Sequence, residues 1–119
     1  MKKLIDCPAE RAVYFLGGKW KIRILFSLLQ SKKVRFGELK KGLKTITQQM
    51  LSKQLKELEG DGIVNRKVIQ IMPPKVEYSL TEFGLSVMPI LRSFSEWNKK
   101  NTRTISIKLN KNFEENRIT

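Results

Sequence analysis

RFGELKKGLKTITQQMLSKQLKELEGDGIVNRKVIQIMPPKVEYSL, from Arg35 to Leu80, carries two short helical patterns, then a strand, a Pro-Pro tip and a second strand. In the first pattern Phe36, Leu39 and Leu43 recur at helical spacing, and Gly42 marks the end. After a turn at Lys44 to Ile46, Thr47 is placed to cap a second helix in which Leu51, Leu55 and Leu58 share one face. The opposite face presents Gln49, Ser52, Lys53 and Lys56, and Gly60-Asp61-Gly62 breaks the helix. Val64 to Ile71 is rich in β-branched residues, and Val76 to Leu80 alternates Val76, Tyr78 and Leu80 with Glu77 and Ser79. Met72-Pro73-Pro74-Lys75 between them cannot continue either ladder, because proline lacks the donor. This order is the outline of a winged helix-turn-helix. The expected fold class is mainly α with a small β wing, flanked by N- and C-terminal dimerisation helices.

Upstream, Cys7-Pro8 starts a helix that runs to about Leu16 and stops at Gly17-Gly18. A second helix begins near Lys19 and carries Trp20, Ile24, Leu25 and Leu28 on one face, ending at Gln30 to Lys33. Val34-Arg35 predicts a short first strand. Downstream, Thr81 caps a long helix to about Lys100, in which Pro89 predicts a kink. Phe83, Val87, Ile90, Phe94 and Trp97 alternate spacings of four and three, and Leu85, Met88 and Leu91 form a second stripe. Two apolar stripes on one helix exceed what a small domain covers, which implies a second copy of the chain; the alternative is one wide core-facing stripe. Beyond Asn101, Ile105, Ile107 and Leu109 alternate like a short strand. Residues 1–100 read as one winged-helix domain with its dimerisation helices, and 101–119 as a C-terminal tail whose role the sequence leaves open.

Composition excludes several function classes. A chain of 119 residues is one domain. At this size it buries roughly two thirds of its unfolded surface. No apolar run approaches the roughly 20 residues that span a bilayer. Met1-Lys2-Lys3-Leu4-Ile5-Asp6 begins basic, but Asp6 and Pro8 interrupt it before an apolar region develops, so a cytoplasmic, reducing location is expected. There is no histidine and a single cysteine, which removes the commonest general base, the commonest metal ligand and any intramolecular disulfide. With no Gly-rich phosphate loop and no nucleophile elbow, neither an enzyme nor a cofactor or metal is expected. Lys+Arg total 24 against 11 Asp+Glu, a net charge of +13, and a polyanion partner would relieve that self-repulsion. A membrane surface is the competitor, yet no helix pairs a basic face with a Trp/Leu/Phe face.

A helix that reads DNA needs an apolar inner face, an outer face that reaches base edges, and flanking phosphate ligands. Thr47 to Leu58 meets all three. Gln48 and Gln49 lie in its first turn, where amides pair with adenine in the major groove. Thr47, Ser52, Lys53 and Lys56 join them as candidate contacts, with Arg35 as a further one. The wing supplies Arg66, Lys67 and Lys75 to the backbone or minor groove, giving affinity without sequence information.

Five segments then resemble a known family: Cys7-Pro8, Gly17-Gly18-Lys19-Trp20, Arg35-Phe36-Gly37-Glu38-Leu39, Leu55 to Gly62, and Pro73 to Thr81. In this order and separation they are similar to HxlR-type transcriptional regulators, relatives of the MarR group. The resemblance covers Cys7 to about Lys100. It implies a homodimeric winged helix on inverted-repeat duplex DNA, with the dimer made by the terminal helices and the recognition helix starting at Thr47. It also implies a role for Cys7, because several such regulators sense oxidants, quinones or aldehydes there. A helix N-terminus favours thiolate, with Lys3 and Arg11 as neighbouring cations. Without a second cysteine, Cys7 is left with pairing to Cys7 of another subunit, a mixed disulfide with a small thiol, or alkylation. The plainer reading is a small buried residue that only packs. An effector that modifies the thiol, or a small molecule held by aromatics such as Phe83, Phe94 and Trp97, would supply the signal. Two rivals stand beside this: a winged-helix module for RNA or protein without palindromic DNA specificity, and a small peroxide- or aldehyde-processing enzyme using Cys7, which lacks a visible base.

Overall fold

The computed structural model describes residues 7–118. Helix α1 spans Pro8–Leu16 and α2 Lys21–Gln30; strand β1 (Val34–Arg35) leads into α3 (Phe36–Leu43), and α4 follows at Gln48–Gly60. Strands β2 (Val64–Gln70) and β3 (Lys75–Leu80) form the hairpin, and α5 (Glu82–Leu85), α6 (Met88–Lys100) and α7 (Thr102–Ile118) follow. The chain divides into two compact units, one ending at Ser86 and the other starting at Val87.

The first unit is a winged helix-turn-helix. Its core takes Ile24, Leu25 and Leu28 from α2, Leu39 and Leu43 from α3, and Leu51, Leu55 and Leu58 from α4. Burying a leucine side chain contributes about 1.5–3 kcal/mol. The three leucines therefore fix which face of α4 looks outward. Thr47 caps that helix as expected, its hydroxyl accepting the Met50 N–H at 3.1 Å. At the other end Gly62 adopts φ 75, which lets the Ile63 N–H turn back to the Leu58 carbonyl at 2.9 Å.

The sheet has strand order β1-β3-β2, all antiparallel. Tyr78 is paired with Val34 on one side and Arg66 on the other, while Glu77 is paired with Arg35 and Lys67. The hairpin is tied to the helices through Thr81. Its hydroxyl donates to the Gly62 carbonyl at 2.6 Å and accepts the Gly84 N–H at 2.9 Å, capping α5. A Cβ on Gly84 would collide with the Ile63 carbonyl oxygen, so glycine is what lets α5 lie this close.

Three expectations are corrected. The single helix from Thr81 to Lys100 is broken into α5 and α6, separated by Ser86 and Val87. Pro89 does not kink a continuous helix but sits in the first turn of α6, where a missing N–H leaves no hydrogen bond unmade. The alternation of Ile105, Ile107 and Leu109 lies on helix α7, not on a strand. A strand there would need a partner for its backbone groups, whereas a helix satisfies them internally. Thr102 and Asn101 hold the junction, donating to the Asn98 and Trp97 carbonyls, each at 2.9 Å.

Candidate nucleic-acid interface

With Leu51, Leu55 and Leu58 facing inward, Gln48, Gln49, Ser52, Lys53 and Lys56 are all exposed on α4, together with the capping Thr47. One cleft borders this face, and a second lies between α3 and the hairpin. Ser52, Lys56 and Glu59 of α4 line the first, of about 410 Å³, with Phe36, Arg66 and Tyr78. Arg35, Phe36, Gly37, Glu38 and Lys41 line the second, of about 380 Å³, with Pro74, Lys75 and Val76. Phe36 borders both. The sequence-derived candidates are thus gathered into two groups, Ser52 and Lys56 with Arg66, and Arg35 with Lys75.

Some candidates are not brought together. Gln48, Gln49 and Lys53 border neither cleft. Arg66 and Lys67 are neighbours in β2, so their side chains leave opposite faces of the sheet. Lys67 shares its face and register with Glu77, as does Arg35 across β1. An acid therefore stands between two cations that composition alone would add together.

Three features behind this surface had not been read from the sequence. Lys21 is only 8% exposed, and its ammonium meets the Glu57 carboxylate of α4 at 2.9 Å. Hydrogen bonding and charge from Lys21 hold the Glu57 carboxyl below the usual carboxylate range. The signal was available: Lys21 lies three, four and seven residues before Ile24, Leu25 and Leu28, squarely on the buried stripe. Next, Arg23 stacks over the Trp20 ring at 4.8 Å and donates from Nη2 to the Leu43 carbonyl at 3.3 Å, with Lys19 also over that ring at 5.0 Å. Trp20 itself stands at the cap of α2, ahead of its first turn. Finally, Lys41 adds a cation to the cleft with Arg35 and Lys75.

The turn that joins α3 to α4 is tight. Lys44 takes φ 60 and ψ −73, and the Thr45 N–H closes on the Leu43 carbonyl at 2.8 Å. This is a γ-turn of the strained, positive-φ kind. The Leu43 carbonyl thus accepts from both Thr45 and Arg23, which braces the turn from α2.

This geometry has a counterpart in known proteins. The HxlR-like helix-turn-helix profile matches residues 15–106. The chain belongs to the HxlR-like helix-turn-helix family. An HTH-type transcriptional regulator of Halalkalibacterium halodurans is 46% identical over 101 residues, covering 85% of this chain and 89% of that relative. The redox regulator HypR in its reduced form superposes with a TM-score of 0.79 at 44% identity, covering 84% of this chain and 98% of HypR. Its oxidised form gives 0.72 at 47% identity, covering 80% and 97%. Fold and family are those of transcriptional regulators.

In this HxlR-like chain Cys7 is exposed on the single protomer and is not packed into its core. It is the N-cap of α1, its carbonyl accepting the Arg11 N–H at 3.1 Å, and its thiol makes no capping bond. Arg11 is exposed; Lys3 lies outside the described residues. Of the apolar residues assigned to a dimer, Phe83, Ile90, Phe94 and Trp97 are exposed, whereas Val87 is buried. The second stripe is also split, with Leu91 buried and Leu85 exposed. Phe83 packs edge-on to Phe15 of α1, 6.4 Å between ring centres, and on α1 itself Val13 and Tyr14 are exposed. Phe94 lines a shallow cleft with Ser95, Asn98 and Lys99. Among the described residues no helix is long and apolar enough to cross a membrane.

Proposed function

We propose that the chain is a homodimeric, cytoplasmic transcriptional regulator that binds inverted-repeat duplex DNA, and not an enzyme. The observation that carries this reading is the outward face of α4, where Gln48, Gln49, Ser52, Lys53 and Lys56 are exposed, Ser52 and Lys56 beside a cleft that bears Arg66, with Arg35 and Lys75 together in a second cleft. Amides on the first turn suit adenine edges, and the lysines and arginines suit phosphates. Phe83 of the first unit, and Ile90, Phe94 and Trp97 of the second, are exposed apolar residues that a second copy would cover, and two-fold symmetry would then match a palindromic site. Residues 1–100 act as the DNA-binding and dimerising part.

Cys7 is the proposed sensor. An exposed thiol at the head of a helix is open to oxidants and electrophiles, and two of the solved relatives are the reduced and oxidised forms of a redox regulator. Oxidation of two Cys7 thiols to an intersubunit disulfide, a mixed disulfide with a small thiol, or alkylation would alter the spacing of the two α4 helices.

The test is selection of genomic duplex fragments by reduced protein, repeated after mild thiol oxidation and with Cys7→Ser. Enriched inverted repeats are expected, lost on oxidation of the parent and kept by Cys7→Ser. Release from the Cys7→Ser protein as well would remove the sensor. Absence of any enriched sequence would favour an RNA- or protein-binding module.

A further inference from the structure

The tip of the hairpin is apolar and exposed. Ile71 and Met72 are 82% and 84% exposed, and Pro73 and Pro74 beside them are exposed as well. Val68 and Ile69 leading up to them are 49% and 44% exposed. Isolated apolar residues on a surface are ordinary, but a run of four on a projecting turn is nothing the fold requires. The tip is also held in place. The β2–β3 ladder is paired as far as Gln70 and Lys75, and the Gln70 side-chain amide donates to the Met72 carbonyl at 3.1 Å. Two large apolar side chains are thus presented at the end of a hydrogen-bonded arm.

What surrounds the tip selects its occupant. Arg66, Lys67 and Lys75 stand on the two strands behind it, and Glu77 is the sole acid between Val64 and Leu80. An apolar point inside a basic collar complements a groove whose rims are phosphates and whose floor is sugar and base edge. Beyond the backbone or minor-groove contact already expected of the wing, we propose that its tip wedges Ile71 and Met72 against a base step, so that the protein bends the DNA it binds. This rests on the reading that the chain binds duplex DNA, and adds to it a mode of contact and a deformation. Lys75, beside the tip, then neutralises a phosphate that flanks the wedge. Pyrimidine–purine steps unstack most easily, so the wing would add sequence preference outside the bases that α4 reads.

The experiment uses the full chain on an end-labelled duplex of about 30 base pairs rich in T–A steps, which gives affinity across a salt series and bending from end-to-end energy transfer. Ile71→Ser with Met72→Ser is expected to weaken binding roughly tenfold and to abolish the energy-transfer change, with the salt slope unmoved. Ile71→Leu with Met72→Leu should retain both, which separates apolar contact from turn geometry. Lys75→Gln should lower the salt slope by about one phosphate and keep the bend. Equal affinity and bending for the serine pair and the parent would overturn the wedge while leaving DNA binding intact. The same holds if the serine pair instead loses only binding to anionic vesicles, which would make the tip a membrane contact. If the parent binds no duplex at any salt, the wedge falls together with the reading beneath it.

Discussion

Lys44 shows at the scale of one residue how the helix-turn-helix is held. A side chain at φ 60, ψ −73 is strained, and the conformation persists because the Leu43 carbonyl is engaged by both Thr45 and Arg23. Lys44→Gly removes the Cβ conflict at some cost in unfolded-state entropy. It should stabilise the protein by about 1 kcal/mol, read as a higher urea midpoint at unchanged slope. A lower midpoint would mean that the turn is not strained. The sequence marks Lys44 to Ile46 only as a break between two periodic segments, because the brace comes from Arg23, twenty positions before Leu43. The thiol at Cys7 was legible as a helix start from Pro8, but its exposure depends on what packs on α1 and is a tertiary fact.

At the scale of elements, α4 is anchored twice. Its leucines set which face is buried, and the Lys21–Glu57 pair ties it to α2. Glu57 has its carboxyl lowered in the fold, so the pair contributes fully above the ordinary carboxylate range. That contribution is lost as pH falls through the depressed value. Glu57→Gln should therefore lower the melting temperature at neutral pH, because it leaves a buried ammonium without its counter-charge. It should also flatten the acid-side decline that the parent shows below about pH 4. Equal acid-side slopes in the two proteins would deny the pair its role. Helix α4 itself was legible in full, from Thr47 to Gly60, since cap, stripe and glycine stop agree. The stretch after Thr81 was not. A heptad-like spacing continues across Ser86 and Val87 although the backbone does not, and Pro89 fits equally a kink or a first turn until the chain is seen. Three alternating apolar residues in α7 were too few to tell a strand from a helix.

Across the whole molecule, charge and shape carry different information. On the proposed function, a net charge of +13 would attract any duplex and set a steep salt dependence, while selection among duplexes would come from the few side chains that reach base edges. The excess was plain in the composition. Its grouping was not: Arg35 and Lys75 meet in one cleft because β3 pairs with β1 as well as β2, a register set by long-range packing. Exposed apolar surface on α1, α5 and α6 was partly legible as the stripe through Trp97, whereas the burial of Val87 and Leu91 was not, since periodicity names a face without saying what covers it. On the proposed function, the outward face of α4 is what reads bases. The measurement that tests it most directly compares affinity for a selected inverted repeat with affinity for a scrambled duplex of equal composition, at fixed salt. The parent is set beside Gln48→Ala, Gln49→Ala and Lys56→Gln. The glutamine variants should lose roughly 10-fold or more of the specific-to-scrambled ratio with little change on the scrambled duplex, and Lys56→Gln should weaken both duplexes alike. Glutamine variants that keep the parent's ratio would contradict the assignment of α4 as the reading helix.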